Sequence, residues 1–490
     1  MKTLPETSSP ARGAEEIREA GHALIERMAH HLEEVETLPV STTRTPRQIA
    51  RDFDLPLPWD GSPAEEVWAD AWERVAGEAI QLHHPMYLGH QVAPPLPHAV
   101  LAEAMTSLLN QSVAVWEMSP TGTAVERQII RWMKELLGYP EESDGTLVSG
   151  GSVANLTGLL AAREARFPGS WRGGVAATEA ARAVVLVTGH AHYSIERAVG
   201  LMGLGSDAVR PVAERDGRMD VAALESMIRE AGDEGRPILA VVATASSTAT
   251  GAFDDLAAIA DICEREGVWL HVDGAHGASF LCSPALRGRL AGIERADSVA
   301  WDPHKMMFMP ISAGAIFVRD HRHLDAAFQQ SAPYLFHVRE GEERSSDIGK
   351  RTLQCSRRVD ALKLWICLRH YGLGHFARLQ EHTVRNAETL HRLLSEADDF
   401  EPMHAPEANI LCFRHLPDAV RGWESERVDT FQAQLRERYN ASGKGWITAT
   451  VLGGRRTLRV TLINPNTRVE HLERMLDGLR EEAREMLAER

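Results

Sequence analysis

Two side chains in the middle of the sequence sit where ordinary packing would not put them. Asp273 ends the apolar run VWLHVDGA (268–275), where a carboxylate is costly to bury unless it meets a cation. A protonated pyridine nitrogen is such a cation, and a carboxylate beside it keeps the ring an electron sink. An aspartate capping a helix after a strand would account for the residue equally well. Lys305 lies in ADSVAWDPHKMMFMP (296–310), between His304 and the apolar Met306, Met307, Phe308 and Met309. Such company strips water from an ammonium and favours a nucleophilic amine, although a lysine can also snorkel out of a loop. A third feature, Ser149-Gly150-Gly151-Ser152, separates the apolar TLV (146–148) from VANLTGLLAARE (153–164). Strand, glycine turn and helix start form an anion site from exposed N–H groups and the positive end of the helix dipole. GxxxxGK[ST] is absent, so the turn is no P-loop, but it suits a phosphate ester.

The surrounding pattern supplies elements to hold these groups. Short apolar runs at 146–148, 183–189, 238–245, 268–274, 298–301 and 313–319 alternate with helical stretches. Continuous apolar strands between helices predict a mostly parallel sheet covered on both faces, in an α/β domain spanning 98–375. Before it, residues 1–97 form an N-terminal segment. Ile17, Ala20, Leu24, Met28 and Leu32 fall at helical spacing over 15–38, the Pro-rich stretch 39–63 is expected to be largely extended, and a second helix is expected over 64–82. After it, 376–490 reads as a smaller α+β domain with strands at 408–413 and 458–462. Its final helix spans 468–488, capped by Thr467 and Glu470.

Composition removes several function classes. Net charge is −16, from 53 basic and 69 acidic residues, which argues against nucleic acid or an anionic membrane as partner. No apolar run approaches the roughly 20 residues of a membrane span. Five cysteines without CxxC spacing fit idle thiols in a reducing cytoplasm. The 22 histidines lack HExxH or cysteine-rich company, so no metal site is expected.

Together these residues resemble the group II pyridoxal-5′-phosphate (PLP) amino-acid decarboxylases, which include the glutamate, aromatic amino acid, cysteine-sulfinate and diaminobutyrate enzymes. The resemblance spans nearly the whole chain and is most specific at His271-Val272-Asp273 followed by Asp302-Pro303-His304-Lys305. It implies PLP fold type I, the aspartate aminotransferase-like architecture, with a sheet of the seven-stranded type. It also implies a homodimer with active sites at the interface, the N-terminal segment packing on the partner.

By the same resemblance Lys305 carries the cofactor as a Schiff base and Asp273 pairs with the pyridine nitrogen. His192, in GHAHYSIERA, stacks on the ring, and Ala275 packs on its other face. Thr248 contacts the cofactor, while Gly150, Gly151, Ser152 and His304 serve the phosphate; Asn155 matches a family position with less claim to direct contact. Tyr334, in the polar lid-like segment 329–349, matches the proton donor contributed across the dimer interface, with a passive interface aromatic as the alternative. Arg357 or Arg358 is expected in structural or interface ion pairs.

The implied reaction is α-decarboxylation of an L-amino acid to the amine and CO2. The alternative is another PLP reaction: an aldehyde synthase, a transaminase or a C–C bond-forming enzyme. The segment HPMYLGHQVAPP (84–95) matches a family pocket and offers His90 and Gln91, so a small polar or acidic aliphatic substrate is expected. Two departures from the family pattern stand out. Gly274, Ala275 and His276 follow Asp273 where Ala, Ala or Cys and then Trp or Tyr are usual, and Ser246-Ser247 replaces Gly-Thr. His276 is therefore a further candidate for the substrate pocket.

Overall fold

The apolar runs that alternate with helical stretches form one sheet in the computed structural model, which describes residues 10–336 and 345–489. In chain order its first strands are β1 (Asp144–Val148), β2 (Val184–Thr188) and β3 (Val209–Val212). A small hairpin, β4 (Glu214–Arg215) and β5 (Arg218–Met219), stands apart. The sheet continues with β6 (Ile238–Thr244), β7 (Trp269–Asp273), β8 (Ser298–Trp301) and β9 (Gly314–Val318). The spatial order is β1-β9-β8-β7-β6-β2-β3. Neighbours are parallel except at β9, which runs against both β1 and β8. Every residue of β2, β6, β7, β8 and β9 is buried, as the unbroken apolar runs require of a sheet covered on both faces.

A second, antiparallel sheet has the order β10-β11-β13-β12, from β10 (Phe400–Pro402), β11 (Ile410–His415), β12 (Thr448–Leu452) and β13 (Arg455–Thr461). The helices Leu373–Glu396, Ser425–Ala441 and Val469–Ala488 contribute Leu390, Phe431, Leu435, Met475 and Leu479 to its core.

Near the N-terminus the helix Pro10–Glu34 leaves Ile17, Ile25 and Leu32 exposed. The helix Pro97–Leu109 does the same with Leu101, Met105, Leu108 and Leu109.

Three local expectations are corrected. The stretch 39–63 contains a helix, Pro46–Asp52: Thr45 accepts from Gln48 N, the Gln48 side chain accepts from Thr45 N, and Pro46 starts the helix where a missing N–H does no harm. The helix expected over 64–82 ends at Ala76 after a wide π turn from Trp72. The last helix is not capped by Thr467 and Glu470. Thr467 Oγ1 donates instead to Pro85 O, and His471 Nδ1 accepts the Arg468 N–H.

Candidate active site

The carboxyl ends of β6 and β7 stop side by side, with Thr244 paired to Asp273, and the chain must leave the sheet there. A cleft of about 380 Å³ opens at this edge, where open α/β sheets bind ligands. Its lining includes Gly150, Gly151, Ser152, His192, Thr248, Asp273, Ala275, His276, His304 and Lys305, expected residues drawn from five separate stretches of sequence, and also Asn155 and Ser246. A larger hollow of about 1100 Å³ beside the β4–β5 hairpin holds neither Lys305 nor Asp273.

Lys305 sits in the tight link between β8 and the antiparallel β9. Its Nζ lies 3.3 Å from Asp302 Oδ2, and Asp302 is buried. His304 Nδ1–H donates to Ala313 O at 2.8 Å, so the link is closed across its own width. Lys363, itself buried, donates to Pro310 O and Ser312 O and pairs with Glu103, which anchors the far side of that link. Burial pushes the imidazoles of His192 and His304 below the ordinary histidine range, so both are neutral near pH 7.

The glycine turn is built for close approach. A Cβ on Gly151 would stand 3.0 Å from Asp302 Oδ2 and 3.2 Å from Ala275 Cβ, and one on Gly314 would stand 2.5 Å from Gly150 Cα. Gly151 begins the helix Gly151–Arg166, so its N–H and that of Ser152 lack intrahelical acceptors and face the cleft. Asp273 is 8 % exposed; its Oδ1 accepts from Ala275 N and its Oδ2 from Asn155 Nδ2 at 3.0 Å. One cleft thus joins a buried carboxylate, an amine and a helix N-terminus. This donor set fits a phosphorylated, cationic heterocyclic aldehyde.

Other expected residues lie elsewhere. His90 is exposed and Gln91 half-buried, and neither lines the Lys305 cleft. Tyr334 is 86 % exposed and also lies outside it. Residues 337–344 of the lid-like segment fall outside the described residues. Arg357 pairs with buried Glu126 at 2.8 Å and Arg358 with Glu103 at 2.6 Å, and none of the four lines the cleft.

Three polar groups went unremarked or underweighted in the sequence. Asn155 contacts Asp273 directly. Ser246, at φ 69°, holds a left-handed conformation that favours glycine, and its buried Oγ has no partner among the described residues. Arg459, on β13, is buried, and Thr448 Oγ1 accepts from its Nη1, while Nε and Nη2 have no partner among the described residues. Its guanidinium lies within electrostatic reach of Tyr87, His90 and His276, and burial lowers its pKa.

His276 connects that corner to the cleft. Its Nε2–H donates to Asn409 Oδ1 at 2.8 Å, leaving a buried Nδ1 lone pair without a partner among the described residues. Burial drives its pKa down to about 3, with the charges of Lys305 and Arg459 acting in the same direction. The two departures noted in the sequence are neighbours: Gly277 N donates to Ala245 O, which brings the Ser246 and His276 segments together.

Comparison with known proteins agrees with this chemistry. Residues 46–416 match the model of the pyridoxal-dependent decarboxylase conserved domain. The L-2,4-diaminobutyrate decarboxylase of Rhizobium meliloti (strain 1021) is 32% identical over 441 residues, 90% of this chain and 86% of that protein. The cysteine sulfinic acid decarboxylase of Mus musculus is 32% identical over 430 residues, 86% of each. The structure of Oryza sativa TDC with PLP and tryptamine superposes with a TM-score of 0.89 at 25% identity, covering 99% of both chains.

Proposed function

The chain belongs to the pyridoxal-dependent decarboxylase family, and from that premise we propose that it removes the carboxylate of a small polar L-amino acid held at Arg459. As a member it is a PLP-dependent amino-acid carboxy-lyase. The observation that carries the substrate reading is the guanidinium of Arg459, buried with Nε and Nη2 unpartnered among the described residues. A buried cation without an anion is expensive, so the site is shaped for one that arrives with the substrate. The bare Nδ1 of His276 and Oγ of Ser246 add a penalty against an apolar side chain, which would leave them unpaired. Diaminobutyrate and cysteine sulfinate, on which the two relatives act, are both small and polar.

PLP, when bound, supplies the electron sink that accepts the pair left at Cα as the carboxylate departs. The chain's own groups do the rest. Lys305 Nζ would be the point of covalent attachment, and the N–H groups of Gly151 and Ser152 would take the phosphate. Asp273 would hold the proton on the ring nitrogen, and His192 and Ala275 would pack against the ring. Thr248 and His304 complete its polar surround. Arg459 orients the carboxylate so that the breaking bond is the intended one. The Tyr334 hydroxyl delivers the proton that replaces CO2 at Cα.

On a single chain Tyr334 stands exposed and away from its own cleft, which supports its delivery to a partner's site in a homodimer. The exposed apolar residues of Pro10–Glu34 and Pro97–Leu109 are the surface such a partner would cover. His90 and Gln91 then belong to the outer substrate pocket.

The deciding experiment is a panel of L-amino acids with added PLP, scored by mass spectrometry. Equimolar amine and CO2 from a small polar substrate supports the reading. Turnover confined to aromatic amino acids, or release of ammonia and peroxide, rejects it.

A further inference from the structure

The buried polar atoms behind the cleft form one line. Trp269 Nε1–H, which can only donate, points at Ser298 Oγ from 2.9 Å. Ser298 Oγ lies 2.8 Å from His271 Nδ1, and His271 Nε2 lies 2.9 Å from Asn155 Oδ1. Asn155 Nδ2 sits 3.0 Å from Asp273 Oδ2 and 2.9 Å from Ser194 Oγ. Ser194 Oγ in turn is 2.9 Å from His192 Nδ1. Trp269, Ser298, His271, Asn155 and Ser194 are all buried, so water does not substitute for any link.

One arrangement of hydrogens satisfies every member. An amide oxygen only accepts, so His271 carries its proton on Nε2 and donates to Asn155 Oδ1. Burial drives the His271 pKa down to about 4, so the ring is neutral and its Nδ1 accepts the Ser298 O–H. The Ser298 oxygen accepts from Trp269. The two amide hydrogens of Asn155 go to Asp273 and Ser194. The Ser194 backbone N–H points at His192 Nδ1 from 3.3 Å, so that nitrogen accepts, and the His192 proton lies on Nε2. The helix Gly151–Arg166 makes room for this line: a Cβ on Gly158, one turn after Asn155, would stand 2.7 Å from His271 Cε1.

We propose that His271 is a positioning residue for both groups that face the cofactor ring. Through Asn155 it holds Asp273 Oδ2 as an acceptor, which fixes the direction in which that carboxylate faces. Through Asn155 and Ser194 it fixes the His192 ring with its proton on Nε2. The proposal rests on the reading that Asp273 and His192 contact the cofactor. A histidine that only filled the core would affect melting and leave the cofactor's spectrum alone.

The test uses holoenzyme carrying His271→Phe, with Ser298→Ala and Gly158→Ala as variants remote from the ring and Asp273→Asn as control. Two readouts besides turnover are taken: the rate of cofactor loss on dialysis, and the pH midpoint of the bound cofactor's visible absorbance. For His271→Phe we expect roughly tenfold faster loss and a midpoint moved by about one pH unit, the scale of a lost outer hydrogen bond to a binding group. Ser298→Ala and Gly158→Ala shift both in the same direction by less. His271→Gln, which can donate at one end and accept at the other, recovers part of the change. Wild-type retention and midpoint in folded His271→Phe overturn the proposal. If that variant does not fold, wild-type values in both remote variants overturn it. Asp273→Asn separates the two levels. If it too matches wild type, the cofactor reading itself fails; if it alone departs, only the role of His271 fails.

Discussion

Lys305 Nζ and Asp302 Oδ2 form an ion pair of 3.3 Å within a single turn, and the acid is the more deeply buried partner. The second oxygen of Asp302 has no partner among the described residues, so the lysine's amine is its main source of compensation. Lys305→Ala should therefore abolish visible absorbance that survives dialysis and also lower the melting temperature, because it strands a buried carboxylate. Persistence of the absorbance in this variant ends the assignment of Lys305.

Arg459→Met should separate activity from stability in opposite directions. Losing two charge-assisted hydrogen bonds to a carboxylate predicts a fall in kcat/KM of about a hundredfold or more. Folding should be unaffected or improved by about 1 kcal/mol, since an unpaired buried cation is replaced by an apolar chain of similar length. A variant that melts lower and turns over normally would show that the guanidinium is structural.

Tyr334→Phe should depress amine formation while leaving cofactor retention and melting unchanged, because the ring stands exposed and only the hydroxyl is lost. Amine release at the wild-type rate would remove Tyr334 from the proton transfer.

Acid should destabilise the holoenzyme through its buried histidines. His276 and His271 have folded pKa values of about 3 and about 4, below the 6.5 of a free imidazole. The unfolded chain therefore binds more protons between those limits, and stability falls as the pH drops from about 6.5 toward 4. Asp254, raised to about 6 by burial, opposes this over part of the range, because its contribution is lost as the pH rises through 6. His276→Phe should flatten the acid limb of a plot of melting temperature against pH. An unchanged limb would contradict the neutral, buried state of His276.

That Asp273, Lys305 and the glycine turn share one cleft is legible because their signals are local. Asp273 and Lys305 each sit in a contiguous apolar segment where a charge is anomalous, and the glycine turn lies directly between a strand and a helix. Arg459 was not legible. In LRVTL it occupies one phase of a strand whose two faces are both buried, so alternation cannot mark it as inward. Its isolation shows only once Cys412 and Thr448 are paired beside it. Asn155 was underweighted because one asparagine inside a helix carries no sign of the carboxylate it will meet. The helix at 46–52 departs from expectation because the prolines of 39–63 point to an extended chain, although Pro46 is itself a helix starter behind the Thr45 cap.

Arg459 is carried by the four-stranded sheet, while Lys305, Asp273 and the glycine turn belong to the seven-stranded one. The group proposed to hold the substrate's carboxylate and the groups proposed to hold the cofactor thus stand on separate sheets. Changes in the β12–β13 ribbon would therefore reposition the substrate's carboxylate while the elements proposed to hold the cofactor stay as they are. Transplanting that ribbon between relatives would accordingly show how far carboxylate placement alone decides which amino acid is consumed.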